Sequence, residues 1–295
     1  MLMQELLQNL GIIKQDSIRE YFPSVRDSND LKVYKCEASG VIFLKEKICG
    51  EVYYKEKKIS EDKNYSLDTI EGADVLHPVN DDDARRAMQF KSLIQGKAWL
   101  DFGCGTGNLI DLLKETALLA HGCELNNTYL DAMRKRGIDV YSSFSEKNYG
   151  TYDVITLFHV LEHIQNPVET LDLIFKLLKK GGTLVIEIPH ANDFLLKSLE
   201  LESFKKFTFW SEHLVLYTRN SLEVLLKKFD FDRISIKGFQ RYSLDNHLYW
   251  LRYGKPGGHD SYFRDIVTDE LRKAYEGFLV SVDQTDTLIA FAYKK

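Results

Sequence analysis

About a third of the way along the chain stands the stretch Leu100-Asp101-Phe102-Gly103-Cys104-Gly105-Thr106-Gly107. The apolar residues that lead into it predict a buried β-strand, and the three glycines at alternate positions predict a tight turn. A helical pattern begins directly afterwards, at Asn108. A strand, a glycine-rich turn and a helix together place backbone N–H groups at the carboxyl edge of a parallel sheet. The stretch therefore predicts a ligand site on an α/β fold.

Short apolar strands and amphipathic helices alternate on both sides of this turn. A helix is predicted over residues 81–94, where three aspartates offer N-caps to an apolar pattern of roughly helical spacing. Because such alternation is typical of βαβ units, we predict an α/β fold with a doubly wound, mostly parallel sheet. The other predicted elements are strands at 98–102, 119–124, 138–141, 152–158 and 183–188, and helices at 108–118, 128–136, 167–178 and 220–229.

The pattern divides the chain into three parts. Residues 1–80 mix short apolar runs with Lys/Glu-rich connections and are predicted to form a small N-terminal cap. Residues 81–238 hold the alternating core. Residues 239–295 are predicted to form a C-terminal substrate or lid segment and the final strand, because the part from 241 to 260 is rich in Tyr, Asn, His, Gly and Trp.

The bulk composition limits the class of protein. Hydrophobic residues make up 44% of the 295 residues, which predicts a folded globular chain rather than a disordered one. A net charge of −5 gives no summed attraction to a phosphate backbone. We therefore expect a small-molecule substrate and no nucleic-acid partner.

Cysteine usage and hydropathy indicate the compartment. Four cysteines, Cys36, Cys49, Cys104 and Cys123, are too few and too scattered for a disulfide framework. No run approaches the roughly 18 apolar residues that span a bilayer, and the first residues lack the basic start of a signal peptide. We expect a cytoplasmic protein with no membrane partner.

The spacing of the glycines indicates which ligand the turn binds. The dinucleotide fingerprint is G-x-G-x-x-G, whose third glycine lets a helix approach a pyrophosphate. Here Gly107 comes one residue early, which disfavours a nicotinamide oxidoreductase. The turn can instead lie against the amino-acid part of S-adenosylmethionine, with Asp101 near its amino group. Glu124, about 20 residues further on at the end of the next strand, can accept both ribose hydroxyls.

Three phrases carry a resemblance to a known family. They are WLDFGCGTG (99–107), DVITLFHVLEH (153–163) and LKKGGTL (178–184). On these phrases, residues 97–238 resemble the class I S-adenosylmethionine-dependent methyltransferases. The resemblance implies a Rossmann-like sheet of seven strands with a terminal antiparallel hairpin.

The resemblance also implies roles for individual residues. S-adenosylmethionine would be the methyl donor and S-adenosylhomocysteine the product. By this analogy Glu124 holds the ribose, Leu125 flanks the adenine, and Ser142 or Ser143 reaches the adenine edge. Phe158 leaves the fourth strand beside the sulfonium. The methionine end is lined by Asp101, Gly103, Cys104, Gly105 and Gly107.

The flanks resemble parts of sugar methyltransferases. The phrase YKCEASGVIFL (34–44) is similar to an N-terminal zinc ribbon with a C-x-x-C-G motif. Here the second cysteine is Ser39, and Cys49 is the only other nearby sulfur, so we predict no structural zinc. The tail from 240 to 259 resembles methyltransferases of surface-polysaccharide and small-metabolite pathways.

The phrase His159-Val160-Leu161-Glu162-His163 offers candidate catalytic groups. It also matches the H-x-x-E-H motif of zinc proteases, but it follows a buried parallel strand instead of lying on one helical face. Similar E-x-x-E-H runs, paired with a later His before an aromatic-Thr-Arg phrase, bind a divalent metal in ubiquinone O-methyltransferases and plant small-RNA methyltransferases. Here the later phrase is EHLVLYTR (212–219), and His159 replaces the first Glu.

Two mechanisms follow from this phrase. In the first, His163 or His213 deprotonates the acceptor as a general base. In the second, Glu162, His163 and His213, with or without His159, hold a metal that lowers the pKa of the substrate hydroxyl. We favour the first and assign no metal site, because exchanging Glu for His removes a hard oxygen ligand suited to magnesium. The predicted catalytic residues are therefore His159, His163 and His213.

Other side chains are weaker candidates. Arg85 and Arg86 offer bidentate geometry to a carboxylate or phosphate. Glu187, at the end of the fifth strand, is a candidate for binding polar groups of the substrate, and Tyr53 and Tyr54 are candidates to close over the cofactor.

The sequence as a whole predicts a methyltransferase that acts on a small polar metabolite. Sugars, nucleotide-sugars and phosphorylated intermediates are the expected acceptors, with transfer to O, N or C. The alternative is a partner or scaffold protein that binds S-adenosylmethionine without turnover, which the degenerate ribbon suggests. Cofactor binding with no methyl transfer would support that alternative.

Overall fold

The computed structural model describes residues 2–46, 50–56, 68–70, 73–75 and 81–295. Cys49, considered above as a possible zinc ligand, lies outside these ranges. Within the described part of the chain, each helix is too short or too polar to cross a bilayer.

A sheet of seven strands forms the centre of the molecule. Its order is β12-β13-β10-β9-β6-β7-β8, with parallel pairing from β10 to β8 and antiparallel pairing of β13 with both β10 and β12. The predicted doubly wound, mostly parallel sheet with its antiparallel edge is confirmed. The strands are β6 (Ala98–Phe102), β7 (Leu119–Cys123), β8 (Asp139–Tyr141), β9 (Tyr152–Phe158), β10 (Leu178–Pro189), β12 (Phe231–Phe239) and β13 (Thr287–Lys294).

The strand order reverses at β6, and this reversal positions the site. β7 and β8 lie on one side of β6, whereas β9 and β10 lie on the other. Side chains on both faces of these strands are buried, for example Trp99 and Leu100 at 0% exposure, because helices cover both faces of the sheet. The glycine-rich turn leaves β6 at this reversal, where open α/β sheets bind their ligands.

The helices of the core follow the predicted alternation with small differences. The predicted helix 108–118 ends at Leu113, because the chain turns there and the carbonyl of Thr116 accepts the N–H of Gly96. The predicted strand 183–188 extends back to Leu178 through a register shift that contains Gly181 at φ +74°. The helices are α3 (Asp81–Ile94), α4 (Asn108–Leu113), α5 (Asn127–Lys135), α6 (Pro167–Leu177) and α9 (Arg219–Leu226).

The N-terminal region contributes a second, antiparallel sheet of order β1-β2-β3-β11. Its fourth strand comes from the segment that follows β10, so the region is tied to the core by backbone hydrogen bonds. Its elements, with those that follow β10, are α1 (Met3–Asn9), β1 (Ile18–Phe22), β2 (Val33–Cys36), β3 (Ile42–Leu44), α2 (Glu51–Glu56), β4 (Asp68–Ile70), β5 (Ala73–Val75), α7 (Phe194–Lys197), α8 (Glu202–Thr208) and β11 (Val215–Leu216).

A helical insertion separates the last two strands of the main sheet. Its helices are α10 (Leu244–Tyr253), α11 (Tyr262–Ile266) and α12 (Asp269–Ser281). The final strand β13 then enters the sheet between β10 and β12. The central sheet thus includes residues on both sides of position 238, and the proposed division at that position stays a prediction, as does the lid role of residues 241–260.

Candidate functional site

The glycine-rich turn adopts a backbone conformation that favours glycine. Gly103, Gly105 and Gly107 have φ values of +77°, +53° and +77°. A Cβ atom on Gly103 would lie 2.3 Å from Cγ2 of Val160, and one on Gly107 would lie 2.7 Å from Sδ of Met133. Conformation therefore favours glycine at all three positions, and at Gly103 the stiff Val160 side chain also leaves no room for a Cβ atom.

Asp101 ends a buried hydrogen-bond chain beneath the turn. Nε1 of Trp99 donates to Oγ1 of Thr156 at 2.9 Å, and this hydroxyl donates to Oδ1 of Asp101 at 2.7 Å. Burial raises the pKa of Asp101 to about 7, against the opposing effects of the Thr156 hydrogen bond and the Arg86 charge. The chain fixes this carboxyl group at the point where the turn begins.

Thr156→Val is expected to destabilise the fold by about 2 kcal/mol, because it leaves the Trp99 N–H and a carboxyl oxygen buried without partners. Urea unfolding would measure the loss, with Thr151→Val, a half-buried threonine just before β9, as the matched control. Equal stability of Thr156→Val and the unmodified protein would show that the chain of hydrogen bonds contributes nothing.

Glu124 lies against the glycine-rich turn, as the predicted pairing of the two strand ends requires. Its Oε2 accepts the N–H of Gly105 at 3.0 Å, and its Oε1 accepts the N–H groups of Leu125 and Asn126 at 2.7 and 2.8 Å. Burial raises the pKa of Glu124, while these three N–H donors act in the opposite direction. An acidic group is thus held at the mouth of the turn, next to the end of β6.

The remaining predicted cofactor residues differ in their surroundings. Cys104 lies in the turn, with its Sγ 3.6 Å from Sδ of Met133, and burial raises the pKa of its thiol. Ser142 is exposed after β8, two strands from β6. The ring of Phe158 stacks on Phe90 at 5.1 Å. The structure therefore places Asp101, the glycines, Cys104 and Glu124 close together, with Ser142 further away. The roles of the individual residues stay predictions.

A second cluster lies beyond the end of β9. Glu162 and His163 belong to a single 3₁₀ turn, Leu161–His163, and His213 precedes β11. One ligand atom from each of these three residues lies within 4.8 Å of the others. This is the triad that the sequence offered to a metal, and we refer to it as the carboxylate–imidazole triad.

Backbone carbonyl groups fix which ring nitrogen carries a hydrogen in both imidazoles of the triad. Nδ1 of His163 lies 2.9 Å from the carbonyl oxygen of Glu212, and Nδ1 of His213 lies 3.2 Å from that of Thr208. A carbonyl can only accept, so Nδ1 carries a hydrogen in both rings, and in the neutral form of each ring the lone pair lies on Nε2. Burial lowers the pKa of His213 to about 3, which keeps its imidazole neutral at physiological pH.

Glu162 supplies a buried carboxylate with unused capacity. It is 1% exposed, and its Oε2 has no hydrogen-bond partner among the residues that the structure describes. Burial acts to raise the pKa of Glu162, but the hydrogen bond from His159 and the neighbouring imidazoles together lower it to about 2. A buried charged oxygen without a partner is costly, which makes this atom a candidate ligand.

His159 lies beside the triad but has different partners. Its Nδ1 is 3.1 Å from Oε1 of Glu162, and its Nε2 is 2.8 Å from Nη1 of Arg241. Sequence reasoning missed Arg241 as a site residue. Arg241 lies 82 positions from His159, and no local motif marks an arginine that the fold brings in from such a distance.

Two of the weaker candidates lie over the triad, on α2. The hydroxyl of Tyr53 donates to Oε1 of Glu212 at 2.8 Å, and the ring of Tyr54 lies 6.4 Å from that of His163. Nδ2 of Asn126 donates to the carbonyl of Tyr54, so the same helix also reaches the residues beside Glu124. Helix α2 therefore links the two halves of the candidate site.

Two arginines form ion pairs with the carboxylate of Glu187 at the end of β10. Glu187 is fully buried, and its Oε1 accepts from Arg85 at 2.8 Å and from Arg86 at 2.6 Å. Burial tends to raise the pKa of Glu187, but the guanidinium groups of Arg86 and Arg85 shift it far below its usual value. Arg85 and Arg86, two candidates for binding an anionic substrate, thus already bind a carboxylate of the protein itself.

Curated relatives match part of the chain. "Ubiquinone biosynthesis O-methyltransferase" of Vibrio cholerae serotype O1 is 26% identical over 117 residues, which is 36% of this chain and 48% of the relative. The protein of the same name from Psychrobacter arcticus is 30% identical over 112 residues, 34% of this chain and 43% of the relative. The chain therefore spans about half the length of these relatives, or less.

A solved structure shares the fold over a larger part of the chain. A SAM-dependent methyltransferase from Archaeoglobus fulgidus superposes with a TM-score of 0.51 and 19% identity, and covers 72% of this chain and 92% of its own. At this identity the likeness shows the fold alone.

The family model described as "Methyltransferase domain" matches residues 80–236, more than half of the 295 residues. The matched range contains the glycine-rich turn, Glu124 and the carboxylate–imidazole triad. The chain therefore belongs to the methyltransferase-domain family, within the class I S-adenosylmethionine-dependent methyltransferases.

Proposed function

We propose that this protein transfers the methyl group of S-adenosylmethionine to a hydroxyl group of a small polar molecule and releases S-adenosylhomocysteine. The observation that carries the proposal is the meeting of two groups at one edge of the sheet. The glycine-rich turn with Glu124 follows β6 and β7, and the carboxylate–imidazole triad follows the neighbouring strand β9.

In this proposal the turn and its acidic neighbours bind the donor. Asp101, at the end of β6, would accept a hydrogen bond from the amino group of the methionine part. Glu124 would accept hydrogen bonds from the two ribose hydroxyls. Asp101 is buried and Glu124 half-buried, so each forms stronger hydrogen bonds to the donor than it would in water. The end of β9 and the triad beyond it would then hold the acceptor next to the donor.

The triad fits a divalent metal by the chemistry of its donors. Both imidazoles direct their Nδ1 hydrogens to carbonyl groups and so leave Nε2 as the ligand atom, the arrangement that orients metal-binding histidines in proteins. Glu162 contributes a buried oxygen that no described residue engages in a hydrogen bond. When bound, a metal would lower the pKa of the acceptor hydroxyl. These observations favour the second of the two mechanisms considered from the sequence.

The protein's own residues supply the rest of the chemistry. The carbonyl groups of Glu212 and Thr208 hold the imidazoles in place, and the ring of Tyr54 on α2 lies against that of His163. In the competing mechanism, Nε2 of His163 accepts the proton of the hydroxyl directly. Both mechanisms use the same lone pair, so metal dependence separates them.

Removal of metal is expected to reduce methyl transfer at least tenfold. The assay incubates the protein with labelled S-adenosylmethionine and pools of sugars, nucleotide-sugars, phosphorylated metabolites and hydroxylated intermediates of ubiquinone biosynthesis, with and without EDTA. Magnesium, manganese or zinc added back should restore transfer. Transfer that is insensitive to EDTA would support the general-base mechanism, and donor binding without transfer to any pool would support a scaffold role.

A further inference from the structure

The hydrogen bonds of His159 assign it a role different from that of His163 and His213. A guanidinium can only donate, so the 2.8 Å contact from Nη1 of Arg241 places a lone pair on Nε2 of His159. The hydrogen then lies on Nδ1, which donates to Oε1 of Glu162 at 3.1 Å. Both nitrogen atoms of His159 are thus engaged by protein groups.

The backbone of His159 is held in an unusual conformation. Its φ is +56°, in the left-handed region that non-glycine residues rarely adopt. Its N–H donates to the carbonyl oxygen of Glu187 on the adjacent strand at 2.8 Å. A conformation of this kind persists only where surrounding contacts enforce it, and such positions concentrate at functional sites.

Arg241 is itself fixed from two sides. Its Nε and Nη2 donate to the two carboxylate oxygens of Asp82 on α3. Its backbone N–H and that of Tyr242 donate to the buried carboxylate of Asp286, at 3.0 and 2.9 Å. The guanidinium therefore reaches His159 from a rigid frame that joins α3, the end of β12 and the start of β13.

We propose that Arg241 is a positioning residue that acts on the carboxylate–imidazole triad through His159. By donating to Nε2, it holds His159 in the tautomer whose Nδ1–H anchors Oε1 of Glu162, and this leaves Oε2 of Glu162 available to a metal. His159 then neither binds the metal nor accepts the substrate proton, and the site has three ligands. This inference rests on the proposed metal-assisted function.

The test measures metal affinity rather than turnover. The metal-free protein is titrated with Co²⁺, and the visible d–d absorption reports affinity and ligand environment. We expect Arg241→Gln to weaken Co²⁺ binding by about 10- to 100-fold, the usual cost of losing a group that orients a metal ligand. The position of the absorption bands should not change. Arg252→Gln, an exposed arginine on α10, is the matched control and should bind as the unmodified protein does.

A second substitution tests whether Arg241 acts through His159. Asparagine tolerates positive φ, and its amide can replace the Nδ1–H donor to Glu162, but it lacks the Nε2 acceptor. We therefore expect His159→Asn to retain Co²⁺ binding within about tenfold and with the same bands. When His159 is already replaced by Asn, Arg241→Gln should change the Co²⁺ affinity less than twofold, because Arg241 then has no Nε2 atom to hold. The effects of the two substitutions on affinity are therefore not additive.

The outcomes separate this inference from the proposed function. If the unmodified protein binds S-adenosylhomocysteine but no Co²⁺, the metal-assisted function itself is wrong. If Co²⁺ binds and Arg241→Gln binds it equally well or more tightly, the positioning role is overturned. A shift of the absorption bands in His159→Asn would instead make His159 a ligand. Arg241→Lys keeps the charge near Asp82 and serves as the readout if the glutamine variant does not bind S-adenosylhomocysteine.

Discussion

Replacement of Gly103 by alanine is expected to weaken binding of S-adenosylhomocysteine by at least about 100-fold, or roughly 2.7 kcal/mol. The backbone at Gly103 has φ +77°, which costs an L-residue about 1–2 kcal/mol. The added methyl group would also lie 2.3 Å from Cγ2 of Val160. The side chain of Val160 is stiff, and this residue lies in the chain between β9 and the triad. The turn must shift to relieve this contact, and isothermal titration calorimetry would measure the consequence.

Gly96→Ala is the matched control for this substitution. Gly96 has φ +68°, but within the described ranges no atom beyond its two chain neighbours lies within 4 Å of the position of its Cβ. We expect this variant to lose some stability from the backbone conformation and to bind S-adenosylhomocysteine normally. If Gly103→Ala bound it as tightly as Gly96→Ala, the turn would not be the cofactor site.

Replacement of Glu162 by glutamine is expected to lower both Co²⁺ affinity and methyl transfer by at least about 100-fold, since the carboxylate is the only charged ligand of the proposed site. Glutamine keeps the volume of the side chain and can still accept from His159, so the core should remain packed. The comparison is between Co²⁺ titration and the transfer assay on the same preparation.

Glu169→Gln provides the control for the change of charge, because Glu169 lies exposed in the first turn of α6. It should leave both measurements unchanged. Transfer by Glu162→Gln at the rate of the unmodified protein would remove this carboxylate from the mechanism, whatever the chelator experiment showed.

Much of the central sheet could be predicted from local patterns. Strands β6 and β9 and helix α3 have the bounds that the sequence predicts, because each is a single apolar or amphipathic run between clear breaks. Helix α4 is shorter than predicted. Its apolar pattern continues past Leu113, but the fold turns the chain so that the carbonyl of Thr116 can accept the N–H of Gly96.

Contacts between distant parts of the chain could not be predicted in the same way. The pairing of β11 with β3 joins segments about 170 residues apart, and the contact of Arg241 with His159 joins positions 82 residues apart. The sequence grouped His159 with His163 and His213 by spacing. The structure distinguishes them by their hydrogen-bond partners. The rings of His163 and His213 donate Nδ1–H to carbonyl groups, whereas that of His159 donates to Glu162.

The central claim is that the glycine-rich turn and Glu124 bind an adenosyl group attached to methionine or homocysteine. Competitive calorimetry tests it most directly, with S-adenosylhomocysteine titrated into the protein alone and in the presence of excess NAD. We predict saturable binding with one site per chain, unaffected by NAD. Absence of heat with both S-adenosylmethionine and S-adenosylhomocysteine, or displacement of either by NAD, would contradict the claim.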